Sequence, residues 1–319
     1  MEIMEFCEKV KSALEQDKDN NTEVRIQRMS KNNGVVLHGL SLVKPRENIT
    51  PTLYLENFLR RYEAGETFAD IMREIRMAIQ RNRVNEDFDV TIFTDFDKAK
   101  KRIVYKLINV EKNRELLNEV PHMLYMDMAI VFYYLMEKDL IGGYATILVH
   151  NSHMRSWSVQ VEDLYSYALA NTRKLLPPVL LNMEDMMLSI MKGEQPDTAG
   201  DESLDDILEN INLRDDHYPM YVLTNRERYY GAITVLYPEI LERISEEMGR
   251  DLYVIPSSVH EMILIPDLKL DNPENLIYMI REVNEHEVKE EEVLSDSLYY
   301  YDRNAKELRI FHAAVAAMQ

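Results

Sequence analysis

Six residues, 256–261, separate two apolar runs at 252–255 and 262–265, and this spacing restricts the fold more than any other feature of the chain. A parallel pair needs a crossover of a dozen or more residues, so the two runs must be antiparallel neighbours. Around them, 220–223 reads as a strand and 232–248 as a helix closed by Gly249. A second helix follows at 275–283, then a final pair of strands at 298–301 and 308–311. The order is β-α-β-β-α-β with one further strand. It predicts an α+β fold: mainly antiparallel sheets with helices packed on one face. Leu236, Ile240, Leu241, Ile244 and Met248 fall on one side of the first helix, as sheet packing requires.

Ahead of this half, 1–16 has helical periodicity through Ile3, Phe6, Cys7, Val10 and Leu14. Residues 22–43 then alternate like a hairpin turned at Lys31-Asn32-Asn33-Gly34, because Asn and Gly both accept positive φ. Thr50-Pro51 reads as the cap and first turn of a helix carrying Leu55, Phe58, Leu59 and Tyr62, which Gly65 ends. Thr67 and Asp70 resemble a capping arrangement for the next helix, whose arginines Arg73, Arg76, Arg81 and Arg83 form a solvated face. Residues 86–150 mix short β-like runs at 103–110 and 145–149 with a charged helix at 111–119. A helix at 161–175 stops at Pro177-Pro178, and 181–191 reads as a Met-rich amphipathic helix. The polar stretch 193–203 predicts an acidic linker or loop between an N-terminal α+β domain, 1–192, and a C-terminal one, 204–319.

Charge is concentrated rather than spread. The chain holds 37 Lys and Arg against 56 Asp and Glu, a formal charge of −19. Residues 194–216 contribute −8 and 285–296 contribute −5. A phosphate backbone is repelled by such a field, so generic nucleic-acid binding is not expected. The N-terminus lacks a basic-then-apolar signal pattern, which predicts a cytoplasmic protein. The longest apolar run, 123–136, is broken by Asp127 and is shorter than the roughly 20 residues of a membrane span. The single Cys7, at helical spacing with Met4, Val10 and Leu14, reads as a buried thiol and excludes an internal disulfide.

Catalytic and cofactor motifs are missing. Nine glycines include no GxGxxG or GxxxxGK[ST] phosphate loop, and there is no GxSxG elbow or HExxH zinc helix. No cofactor or metal is therefore expected. His150 and His153 lack a nearby carboxylate and read as part of a polar loop. The densest polar cluster is Pro256-Ser257-Ser258-Val259-His260-Glu261, with Thr224-Asn225 ending another strand. Ser257 or Ser258 with His260 as base has the residue types of a small hydrolase, while Pro-Ser-Ser is also ordinary turn composition. Asn171 shares a helix face with Leu164, Ala168 and Leu175, where it acts as a hydrogen-bond anchor or as part of a site with Thr224, Asn225, His260 and Glu261. Met183, Met186, Met187 and Met191 form a soft stripe, the kind of surface that adapts to a partner. With Asp205 and Asp206 they make the expected interaction surface.

Several short motifs, in order, resemble an uncharacterised family of proteins from anaerobic gut bacteria. They are Lys31-Asn32-Asn33-Gly34-Val35, His38-Gly39-Leu40, Pro51-Thr52-Leu53-Tyr54-Leu55, Gly65, Ala170-Asn171-Thr172, Val222-Leu223-Thr224-Asn225, Gly231-Ala232, Pro256-Ser257-Ser258, His260-Glu261 and Leu294-Ser295-Asp296. The C-terminal half is also distantly similar to the YtpQ family through Asn171, Gly231 and the strand pair 256–267, with Ser257 where that family has His. The resemblance implies fold and compartment but no reaction. The sequence therefore points to a non-catalytic module that binds a protein partner, as yet unknown. A small hydrolase and an acidic nucleic-acid mimic are the alternatives.

Overall fold

Asn33 and Gly34 adopt φ of 60° and 72°, the left-handed backbone that these two residues tolerate best. The chain reverses there, pairing β1 (Glu23–Ser30) with β2 (Val36–Val43) from Glu23↔Val43 to Ser30↔Val36. The hairpin loop is thus longer than the two-residue kind, with a 3-10 turn at Asn32–Gly34. In the computed structural model, which describes residues 1–17, 21–44, 50–81, 90–136, 146–191, 219–269 and 272–312, the chain forms two units. One is Met1–Ala99 with Leu135–Ile147; the other is Lys100–Tyr134 with Leu148–Gln319. Among the described residues no helix is long and apolar enough to cross a membrane.

In the first unit, α1 (Ile3–Asp17) places Phe6, Cys7, Val10 and Leu14 in the core, while Met4 faces solvent. Burial pushes the Cys7 thiol up to about 11, so it is an inert core group at neutral pH. Thr50-Pro51 does not begin the next helix. Leu53–Tyr54 forms a short strand, β3, against Gly39 and Leu40, and α2 (Glu56–Glu63) starts after it. A Cβ on Gly39 would lie 2.4 Å from the Thr52 methyl, so the bare glycine is what lets this segment approach the sheet. In α3 (Phe68–Arg81) the expected cap is present: the Asp70 N–H donates to Thr67 Oγ1 at 3.2 Å and the Thr67 hydroxyl donates to Asp70 at 2.6 Å. Phe58, Ile71, Met72 and Ile75 complete the core with Val24, Leu40 and Leu55. Arg83 lies outside the described residues.

The second unit holds two antiparallel sheets. The smaller runs β4 (Ile103–Asn109), β6 (Met128–Leu135), β5 (His122–Tyr125). The apolar run 123–136 is therefore a hairpin turned at Met126, with φ 56°, and Asp127. A helix, α4 (Val161–Leu175), packs on β4, and Asn171 anchors it by donating from Nδ2 to the carbonyls of Lys100 and Ile103 at 2.7 and 2.8 Å.

The larger sheet has six strands: β7 (Pro178–Asn182), β8 (Tyr221–Asn225), β9 (Leu252–Ser258), β10 (Glu261–Pro266), β11 (Tyr299–Asp302) and β12 (Glu307–Ile310). Their spatial order is β12-β11-β9-β10-β8-β7. The ladder from β7 to β8 joins residues on either side of 193–203, a stretch that lies outside the described residues, as do Asp205 and Asp206. Tyr253, Ile255 and Ile265 pack under α7 (Glu274–His286) through Ile280.

Two helix predictions need correction. Residues 181–191 are not one helix: β7 runs through Asn182, whose Oδ1 accepts the Glu184 N–H at 2.8 Å and starts α5 (Met183–Met191). Pro178 opens β7 because an edge strand does not need its missing N–H. Residues 232–248 are likewise interrupted. Gly231–Leu236 is a 3-10 helix, Tyr237 is extended with ψ 134°, and α6 (Ile240–Met248) follows. Pro238 disfavours helical backbone in the residue before it, which sets the break.

Candidate functional site

The turn between β9 and β10 is Val259-His260, because Ser258 pairs with Glu261 and the register shifts between Pro256 and Ser258. Pro256-Ser257-Ser258 is thus the bulged end of a strand rather than a free loop, and a proline is tolerated beside such a bulge. Facing this turn is the loop that leaves β8. Asn225 closes it on itself: Nδ2 donates to the Tyr229 carbonyl at 2.8 Å, and Oδ1 accepts the N–H groups of Glu227 and Tyr229 at 3.1 and 3.2 Å. Arg228 and Tyr230 take φ of 49° and 53°, a sparsely populated conformation that only a tightly determined loop holds in non-glycine residues.

Gly231 is the point of closest approach. A Cβ there would lie 2.1 Å from Thr224 Oγ1, 2.5 Å from the His260 carbonyl and 2.7 Å from the Asn225 nitrogen. Thr224 fills the gap with a hydroxyl that donates to the His260 carbonyl at 2.8 Å. The Tyr230 N–H donates to His260 Nδ1 at 3.1 Å. With Nδ1 accepting, the imidazole proton sits on Nε2, 4.0 Å from Glu292 Oε1. The rings of His260 and Tyr230 stack with centroids 5.6 Å apart and planes 5° from parallel. Lys106 Nζ lies 3.9 Å from the centroid of the Tyr230 ring. Burial, reinforced by Lys106 and Lys289 and opposed by Glu292, holds His260 below the ordinary histidine range.

Thr224, Asn225 and His260 therefore converge, while Asn171 stands apart on α4 against β4. Neither serine is paired with the imidazole. Ser257 donates to Glu261 Oε1 at 3.3 Å, and Ser258 Oγ accepts the His260 backbone N–H at 3.0 Å. A general base needs a ring nitrogen with a free lone pair aimed at the nucleophile, and here that lone pair already holds the Tyr230 N–H. The geometry favours a folded junction over a nucleophile and base. His150 is the N-cap and His153 lies in the first turn of a helix, Asn151–Trp157, and the His150 N–H donates to His153 Nδ1 at 3.0 Å. Among the described residues no group of three or more His, Cys, Asp or Glu side chains is arranged to hold a metal ion.

The Met-rich stripe is a surface. Met187 is 59 %, Leu188 52 % and Met191 82 % exposed, and Met183 and Met186 are half-buried. Sequence reading missed a second apolar surface on α7, where Tyr278 is 70 % exposed beside Met279 and Val283. Its neighbours Leu276, Ile277 and Ile280 give the same helix an ordinary core face, which hides the exposed one. Sequence reading also missed the role of Asp127, whose carboxylate accepts the hydroxyls of Ser295 at 2.6 Å, Ser297 at 2.9 Å and Tyr299 at 2.5 Å. The one available signal was a lone acid in an apolar run.

No curated protein and no solved structure matches the chain. Residues 3–303 match the model of a family of unknown function, DUF5688. The match covers nearly the whole chain, which therefore belongs to that family.

Proposed function

We propose that this chain is a non-catalytic module that binds a protein partner in a bacterial cytoplasm. The observation that carries the reading is the row of large apolar side chains on the outer turns of α5, Met187, Leu188 and Met191, held in water. Exposed methionines give a polarizable surface that repacks against different partners, and contiguous apolar surface of this kind marks interaction sites. The acidic segment 194–216, which follows α5 in sequence, lies outside the described residues. The likeness to proteins of anaerobic gut bacteria, and of the C-terminal half to the YtpQ family, belongs to the same proposal and names the cells in which to look. The hydrolase alternative requires His260 to release the Tyr230 N–H before it can serve a serine, so the geometry weighs against it.

Affinity capture from a bacterial lysate tests the reading, using the full chain and a Met187→Asp/Leu188→Asp double variant with an unchanged circular dichroism spectrum. The expected result is a reproducible set of proteins that the double variant loses. The same set on both baits, or none on either, sinks it.

A further inference from the structure

Strand β12 ends the six-stranded sheet, and among the described residues no strand lies on its outer side. Its register with β11 sets which backbone groups face outward. Phe311 N–H donates to the Leu298 carbonyl at 2.8 Å, and the ladder pairs Tyr300 with Arg309 and Asp302 with Glu307. In an antiparallel ladder hydrogen-bonded pairs alternate with non-bonded ones. Phe311, Arg309 and Glu307 therefore bond inward, while the N–H and C=O groups of Leu308 and Ile310 point away from the sheet. A groove of about 830 Å³ adjoins this edge, with Leu124, Tyr125 and Met126 of the β5–β6 hairpin among its lining residues. Leu124 is 67 % exposed.

Edges of this kind are commonly guarded by charge. Like charges repel a second copy, but Glu307 and Arg309 are opposite in sign, two residues apart and both exposed. We propose that β12 pairs with β12 of a second copy, antiparallel, about a two-fold axis at Leu308. In that register Leu308 meets Leu308 of the other copy as a hydrogen-bonded pair, and the ladder stays within Glu307–Ile310, because Lys306 takes φ 54° in the turn before the strand. Glu307 then faces the other copy's Arg309 twice over, in the non-bonded position where opposing side chains are closest. Moving the axis by one bonded pair loses this match: at Ile310 it sets Arg309 against Phe311, and at Lys306 it sets Glu307 against Ala305. The interface is isologous, and it uses a surface distinct from α5.

Sedimentation equilibrium of the full chain is expected to show a concentration-dependent dimer. Glu307→Arg and Arg309→Glu, which put like charges opposite each other, should each weaken it about tenfold, and the double reversal should restore it. A second measurement does not depend on those variants: oxidised Leu308→Cys in a Cys7→Ser background should give a covalent dimer, since a hydrogen-bonded pair sets the Cα atoms roughly 5.5 Å apart, within disulfide range. Glu307→Cys should not cross-link. A chain that stays monomeric at all concentrations overturns the proposal. So does a dimer indifferent to both single reversals, or equal cross-linking at 307 and 308.

Discussion

Asn225 bonds to groups two to four residues away, whereas Asp127 gathers three hydroxyls that lie 168 to 172 residues further along the chain. Both clusters belong to the larger unit and both satisfy buried polar groups. They differ in what they fasten. The Asn225 cluster holds a loop whose far end, Gly231, already presses against Thr224 and the Asn225 nitrogen at its start. Asp127 instead ties the tip of the β5–β6 hairpin to the segment leading into β11. A local closure organises a few residues; a long-range one fixes elements that the chain leaves far apart, and its loss releases more.

Gly231→Ala should have the largest effect, because the added carbon meets two backbone atoms and a buried hydroxyl at once. A loss of about 3 kcal/mol or more is expected, read as a lower urea midpoint with an unchanged slope. A midpoint within error of wild type would show that the loop yields, and that its positive-φ residues are not tightly held.

Asp127→Ala leaves the Ser295, Ser297 and Tyr299 hydroxyls without their acceptor and should cost about 3 kcal/mol. Asn225→Ala removes only local bonds and should cost about half as much. The pair tests the comparison directly in parallel denaturation curves. Equal losses would break it, and a steeper slope for Asp127→Ala would sharpen it by revealing a changed denatured state.

The smallest effect is in pH. Burial holds His260 below its ordinary value near 6.5, so the unfolded chain takes up a proton before the folded one does. Its contribution is present above about pH 6.5 and is lost as pH falls through the lower folded value. His153 is also shifted down, by burial and by His150, and acts in the same direction. Thermal midpoints measured from pH 7.5 to 5 should therefore fall, and less so for His260→Gln, whose amide oxygen can still accept the Tyr230 N–H. Identical slopes for the two proteins would rule out the buried neutral imidazole.

Much of the candidate site was legible because its residues fall in two short segments, 224–231 and 256–261, each of which breaks a strand. Thr224-Asn225, Gly231 and Ser258 with His260 punctuate strands, and punctuation is what short-range pattern reveals. Two helices were misread for a related reason: apolar periodicity in 232–248 and 181–191 outweighed Pro238 and Asn182, single residues that decide local backbone. Asn171 carried the right residue type for an anchor, yet its partners at Lys100 and Ile103 could only be found in the folded chain. Asp127 was noticed merely as an interruption, since nothing in its neighbourhood announces three hydroxyls beyond residue 294.

By itself the amino-acid sequence determined the class of fold and the antiparallel pairing of the central hairpin. It also determined the positive-φ turn at Asn33-Gly34, because those depend on spacing and on which residues tolerate which backbone angles. Tertiary structure alone decided the order of the six strands and the distant partners of Asn171 and Asp127. It also turned the His260 lone pair toward a backbone N–H instead of a serine. Those outcomes depend on contacts between residues far apart in sequence, where local pattern carries no information.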